Sequence, residues 1–318
     1  MQRKDIWNLV GKNTTIENIE FSGMYNASRN GSVIRHQGIH LTVRDSYFHD
    51  GEEVILGGYK AGNVILVEDS QFERLGAIGQ SHTIYINDGK SMTLRRTGIR
   101  GCIDQANCFK SRAQQNTLTC NVIASMDGNS SWEVDIPYGG RATIRNNVIQ
   151  QGARSVNYGI IGFAMETHKP GQKNPEQTLN LENNLIINDH NKGRFSVYRE
   201  HKNTKFNVWG NKFVGKGRLD HRTGNKLFRD RAAAKLKAYP ALPEACKKKL
   251  DGTAIGFFWP CDRALTYAAN FHVETGQTGC PVGGEISPDP PMFHGAKSRT
   301  DSRATGDAAR QDIVPAQR

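Results

Sequence analysis

No uninterrupted run of about 18 apolar residues occurs in the chain, so no membrane-spanning helix is expected. The start, "MQRKDIWNLVGKN", is basic but lacks the apolar stretch of a secretory signal. The six cysteines never fall in a C-x-x-C pair, which removes the usual zinc and dithiol spacings. Cys102, Cys108 and Cys120 lie in the body, and Cys246, Cys261 and Cys280 lie towards the C-terminus. A chain of 318 residues does not need a disulfide framework, and these cysteines leave the compartment undecided. Helical periodicity sustained over ten or more residues is also missing from the body, which argues against helical repeats. The L-x-x-L-x-L-x-x-N frame of leucine-rich repeats does not fit either.

What remains is enough for a sizeable core, with 37% hydrophobic and 8% aromatic residues. The chain favours Asn, Gly, Thr and Ile over Leu, which suits strands and tight turns. Its formal net charge is +11. That balance favours acidic partners, whether nucleic acid, anionic lipid or acidic polysaccharide. The densest positive run, Arg218 to Lys249, ends in Lys247-Lys248-Lys249, and a solvated basic tail accounts for it more simply.

One short pattern recurs: an aliphatic residue, two polar residues, then an apolar residue that closes the segment. It reads "IENIEF", "VRDSYF", "VEDSQF", "LRRTGI", "LTCNVI", "IRNNVI", "LENNLI" and "VWGNKF". The closing residues are Phe21, Phe48, Phe72, Ile99, Ile123, Ile149, Ile186 and Phe213. Their spacing is 24 to 27 residues, with one interval of 37. Such a unit is too short to bury its own apolar face, so the units must stack. Asn and Asp recurring at one place suit a left-handed turn, and their side chains can hydrogen-bond along the stack. The 37-residue interval holds "METHKPGQKNPEQ" (165–177), read as a loop that could border a groove as a lip.

The segments "NNVI", "NNLI" and "GNKF" resemble the coil signature of the right-handed parallel β-helix superfamily, to which pectate lyases belong. The chain as a whole resembles bacterial β-helix repeat proteins. The resemblance implies an all-β, right-handed parallel β-helix, a solenoid of about eight coils within residues 1–216. An irregular or short-helical extension is expected over 217–275, with "RDRAAAKLKAY" and "LPEACKKKL" as its short helices, and a disordered tail over 276–318. The superfamily usually opens with a capping helix, so the chain is expected to be cut short at its N-terminus. Localisation outside the cytoplasm, extracellular or periplasmic, is implied by the resemblance alone.

Alternation in the second strand of each coil assigns faces. In "HTIYIND", Ile84 and Ile86 point inward while Tyr85 and Asn87 point outward, with His82 at the edge. In "CFKSRAQ", Phe109 and Ser111 point inward while Lys110 and Arg112 point outward. In "WEVDIPYG", Glu133 and Asp135 point outward, and Arg35 belongs to an earlier coil on the same face. Coils stack at about 4.8 Å, so these residues form one patch. Ion-pair ladders on a wet wall would use the same residues.

Three chemistries fit that patch. In β-elimination on a uronate polymer, Arg112 pairs with the carboxylate, Lys110 is the base, and Tyr85 or His82 protonates the leaving oxygen. Asn87, Glu133, Asp135 and Arg35 then line the substrate path. "FKSRAQQNTLTCNVI" resembles a segment of the chondroitinase B and alginate lyase family, and the resemblance implies the base role for Lys110. The family's Arg-His-Gly segment on the next coil is replaced here by "DIPYGG", and its calcium-binding acids are not reproduced apart from nearby Asp104. Calcium is the cofactor the resemblance raises, with its ligand pattern unmatched. The second chemistry is glycoside hydrolysis by Glu133 and Asp135, with side chains about 6–7 Å apart. The polygalacturonase pattern of Asn-Thr-Asp, Asp-Asp and Gly-His-Gly and the pectate lyase Arg-x-Pro-x-x-Arg are both absent. The third is non-catalytic: a carbohydrate- or surface-binding module. The expected partner is an acidic polysaccharide rather than nucleic acid.

Overall fold

The computed structural model describes residues 5–167, 171, 174–198, 204–218 and 223–236. Within them the chain forms 25 strands and no helix. Strands pair in parallel with the strand three places on, except that the last two pair with each other, and the pairings produce three long sheets. The first sheet holds eight strands, from Asp5–Leu9 to Arg194–Tyr198; the second holds eight, from Lys12–Glu17 to Lys205–Trp209; the third holds nine, from Glu20–Ser22 to Lys226–Phe228. Each coil supplies one strand to each sheet, and the result is a parallel β-solenoid of about seven turns.

The repeat in the sequence is the register of the third sheet. Phe21, Phe48, Phe72, Ile99, Ile123, Ile149, Ile186 and Phe213 stand opposite one another in succession, all but Phe21 fully buried. The second sheet contributes Val43, Val67, Leu94, Leu118, Ile144 and Leu181 in the same way, and the first contributes Ile34, Ile55, Ile84, Phe109, Val134 and Ile161. Three inward columns therefore meet in one continuous core. Each fully buried Ile or Phe contributes about 1.5–3 kcal/mol by leaving water.

The turn between the second and third sheets divides its work between two adjacent columns. Asn18, Asp45, Asp69, Arg96, Cys120, Asn146 and Asn183 carry the left-handed backbone, with φ between 48° and 59°. In the later coils the next residue makes a side-chain ladder. Asn121 Nδ2 donates to Asn147 Oδ1 at 2.9 Å, Asn147 to Asn184 at 3.0 Å, Asn184 to Asn211 at 2.9 Å, and Asn211 to Asn225 at 2.9 Å. The sequence pattern merges these two roles because Asn-Asn occupies both columns at 146–147 and 183–184.

Asn116 sits buried in the second-sheet strand Gln115–Thr119 and donates to Ala113 O. One expectation is revised. The described part of "RDRAAAKLKAY" forms hydrogen-bonded turns rather than a helix. Asp230 Oδ1 accepts from Ala233 N–H, and Arg231 pairs with Asp189 at 2.6 Å. Phe228, Ala234 and Leu236 pack on Val122, Ala124, Val148 and Ile187. Those apolar residues beside the inward column of the third sheet are what hold the segment there. "LPEACKKKL" and residues 276–318 lie outside the described residues.

Candidate functional site

Three first-sheet strands, Ile84–Ile86, Phe109–Ser111 and Val134–Ile136, follow one another at 25-residue intervals. Equal spacing places equivalent residues on top of one another. Tyr85, Lys110 and Asp135 are in register on the outer face. The residues three places earlier are His82, Asn107 and Trp132, and those two places later are Asn87, Arg112 and Pro137. The outcome is a three-by-three grid of side chains. Over it lies an open cleft of about 230 Å3, lined by His82, Asn107, Lys110, Trp132, Asp135 and Glu166 among others.

Asn107 organises one side of the cleft. Its side chain donates to Asp135 Oδ2 at 3.0 Å and accepts from Trp132 N–H at 3.2 Å. Its backbone N–H donates to His82 Nδ1 at 3.0 Å. That bond leaves Nε2 as the protonated ring nitrogen of a neutral imidazole. Burial, and then the neighbouring Lys110 and Arg112 charges, push the His82 pKa down to about 3. His82 is thus a fixed N–H donor and not a proton carrier near neutral pH. Burial pushes Asp135 up to about 6, against the pull of Lys110, whose Nζ is 3.6 Å from Oδ2. The other oxygen, Oδ1, faces Gly162 of the next coil, where a Cβ would lie 3.2 Å away. Glycine at that position keeps a methyl group from crowding Oδ1.

The two cations lie side by side, Lys110 lining the cleft and Arg112 next to it. Arg112 lies between two rings, 5.2 Å from the centre of Tyr85 and 4.8 Å from that of Tyr138. It donates to the Tyr85 hydroxyl and to Asn87 Oδ1. Burial raises the Tyr85 pKa to about 12, so the phenol keeps its proton. Glu166 enters from the connection after the strand Gly159–Phe163, within the 37-residue coil. Its Oε2 accepts from Arg112 Nη2 at 2.8 Å, and its Oε1 is 3.9 Å from Lys110 Nζ. This is the lip that the long interval suggested.

His82, Tyr85, Asn87, Lys110, Arg112 and Asp135 thus come together as the alternation implied. Glu133 does not join them. The strand begins only at Val134, and the Glu133 carboxyl turns under the preceding connection, where Ser125 and Ser130 hydroxyls donate to Oε1 at 2.8 and 2.9 Å. Full burial pushes its pKa up to about 8. Arg35 shares the outer column, but Leu56 stands between it and Tyr85, and it pairs with Asp5 at 2.5 Å. Asp104 pairs with Arg29 and accepts from Ile78 N–H at 2.9 Å. Among the described residues no cluster of three or more His, Cys, Asp or Glu side chains could hold a metal ion.

The sequence reading missed Asn107, Trp132, Tyr138, Gly162 and Glu166. The 25-residue interval identifies Asn107 and Trp132 once His82 is chosen. Glu166 has no such signal, because it comes from an insertion with no counterpart in other coils. Among the described residues no helix is long and apolar enough to cross a membrane. Comparison with protein-family models, with curated proteins and with solved structures gave no match to this chain.

Proposed function

We propose that the cleft is the active site of a lyase that cleaves an acidic polysaccharide by β-elimination. The observation that carries this reading is a cleft in which Lys110 lies 3.6 Å from a carboxyl held at about 6, with Arg112 beside it on the same Glu166 carboxylate. Arg112 and Lys110 take the uronate carboxylate, the first through its planar fork. The base is reassigned from Lys110 to Asp135, whose pKa suits proton abstraction near neutrality. Oδ1 removes the proton from the carbon next to the carboxylate. The electron pair forms the C=C bond, the C–O bond to the next sugar breaks, and the Tyr85 hydroxyl protonates the leaving oxygen. His82 Nε2–H is available to the charge that gathers on the substrate carboxylate in the transition state. Such polymers lie outside the cytoplasm, where the Cys102–Cys108 disulfide also belongs.

A second reading rests on the fact that Asp135 and Glu166 both lie within 4 Å of Lys110 Nζ. That makes Asp135 and Glu166, in place of Glu133 and Asp135, the two carboxyls a glycoside hydrolysis would use. Ultraviolet absorbance during incubation with alginate, pectate, chondroitin and bacterial exopolysaccharides separates the two. A rise that disappears in Asp135→Asn supports the lyase. New reducing ends without that rise support the hydrolase, and neither product leaves a binding module.

A further inference from the structure

Glu166 lines the cleft from outside the regular coil, as its neighbour Met165 does. It comes from the inserted connection, and it sets one carboxylate oxygen against each of the two cations. Asp135 is buried and tied to Asn107, whereas the Glu166 side chain keeps 25% of its surface in contact with solvent. Its backbone is held independently of that carboxylate. Glu166 N–H donates to Pro137 O at 2.9 Å, the Thr167 hydroxyl donates to Ala164 O at 2.8 Å, and Asn174 Nδ2 donates to Ala113 O and Gly139 O. Rotation about its side-chain bonds is enough to move the carboxylate into water while the connection stays in place. The two cations would then face the cleft with only Asp135 opposite them.

We infer that the Glu166 carboxylate occupies the position that a ligand carboxylate takes, and is a competing internal ligand of the cleft. The inference rests on the acidic-saccharide reading of the site. A uronate can replace Glu166 like for like, because it returns a carboxylate to Lys110 and Arg112. A neutral sugar cannot, because binding it beside Glu166 gains no ion pair and displacing Glu166 leaves Arg112 without a carboxylate and Lys110 with Asp135 alone. Glu166 therefore lowers the affinity for every ligand that must displace it and admits only anionic ones, which makes it a determinant of specificity.

The test is isothermal titration of the full chain and of Glu166→Gln and Glu166→Ala with glucuronate and with its neutral methyl ester. Glu176→Gln is the control: it removes a charge from the same connection but pairs with Arg141 rather than with the cleft. Both Glu166 variants are expected to bind glucuronate at least tenfold more tightly than the parent chain, a gain of about 1.4 kcal/mol, with ester binding and the control unchanged. Unchanged or weaker glucuronate binding in a variant that keeps the parent's circular dichroism overturns the inference. If Glu166→Ala does not fold, the isosteric Glu166→Gln decides alone. Tighter binding in a chain that releases no unsaturated product keeps the internal ligand and discards the lyase. Product release with unchanged affinity does the reverse.

Discussion

At the turn between the second and third sheets, five successive levels carry asparagine at one position: Asn121, Asn147, Asn184, Asn211 and Asn225. On the outer face of the first sheet, six positions in register hold Arg35, Leu56, Tyr85, Lys110, Asp135 and Gly162, no two alike. Both columns obey the same stacking of about 4.8 Å. An amide donates and accepts, so identical amides satisfy one another along the stack. Unlike residues cannot do so by repetition. On the face, Asp135 is buried with its pKa displaced, and Arg112 Nε is buried without a hydrogen-bond partner. Repetition stabilises this fold, and its interruption marks the surface where polar groups are kept in a costly state.

The largest effect expected from breaking this contrast is Asp135→Asn. Turnover should fall about 10²–10⁴-fold, since a general base is removed. The profile of kcat/KM for the parent chain should rise as pH passes through about 6, and the variant should lose that limb. Folding should not suffer. The carboxyl titrates at about 6 in the folded chain against 3.8 as a free group, so its ionised form opposes folding above that range. Equal or greater resistance to urea at pH 8, together with lost activity, is the expected pair of results. A variant that unfolds yet keeps its specific activity would reverse the assignment of the two columns.

Asn147→Ala tests the other column. Its carboxamide accepts from both Asn121 N–H groups and donates to Leu118 O and to Asn184 Oδ1. Truncation leaves several buried groups unpaired, which costs about 3 kcal/mol. Urea denaturation should show that loss, while activity per folded molecule stays within twofold of the parent chain.

How much of this was legible depends on repetition. The closing column from Phe21 to Phe213 and the asparagine pairs were visible because each recurs at the coil spacing. The patch was visible because three coils of equal length stack without an insertion. Glu133 misled because alternation assigns a side without showing what covers it, and Ser125, Ser130 and the connection that carries them cannot be inferred from a strand pattern. Glu166 was hidden for the opposite reason: its position depends on the path of an inserted segment, which no other coil repeats.

Glu133→Gln turns that correction into a measurement. The native carboxyl titrates at about 8 against 4.5 as a free group. The folded state therefore holds a proton that the unfolded chain releases, and stability declines as pH rises from about 4.5 to 8. The substitution keeps the shape and removes the proton, so it should flatten that decline. The gain in unfolding free energy at pH 9 should be on the order of a few kcal/mol, with little change at pH 4. Absence of any gain would mean that Glu133 reaches water.

The smallest effect separates two glycines. Gly58 has φ of 73°, and a Cβ there would meet Asp88 O at 2.0 Å, so Gly58→Ala should lower stability without touching the cleft. Gly162 has ordinary strand backbone, and the nearest atoms to its Cβ would be Asp135 Oδ1 at 3.2 Å and the Trp132 ring at 3.4 Å. Gly162→Ala should leave the urea midpoint nearly unchanged and lower kcat/KM by about tenfold, because a methyl group covers the oxygen assigned as base. If Gly162→Ala instead lost stability and kept its turnover, Asp135 Oδ1 would not be the atom that meets substrate, and the uneven column would be only an irregular wall.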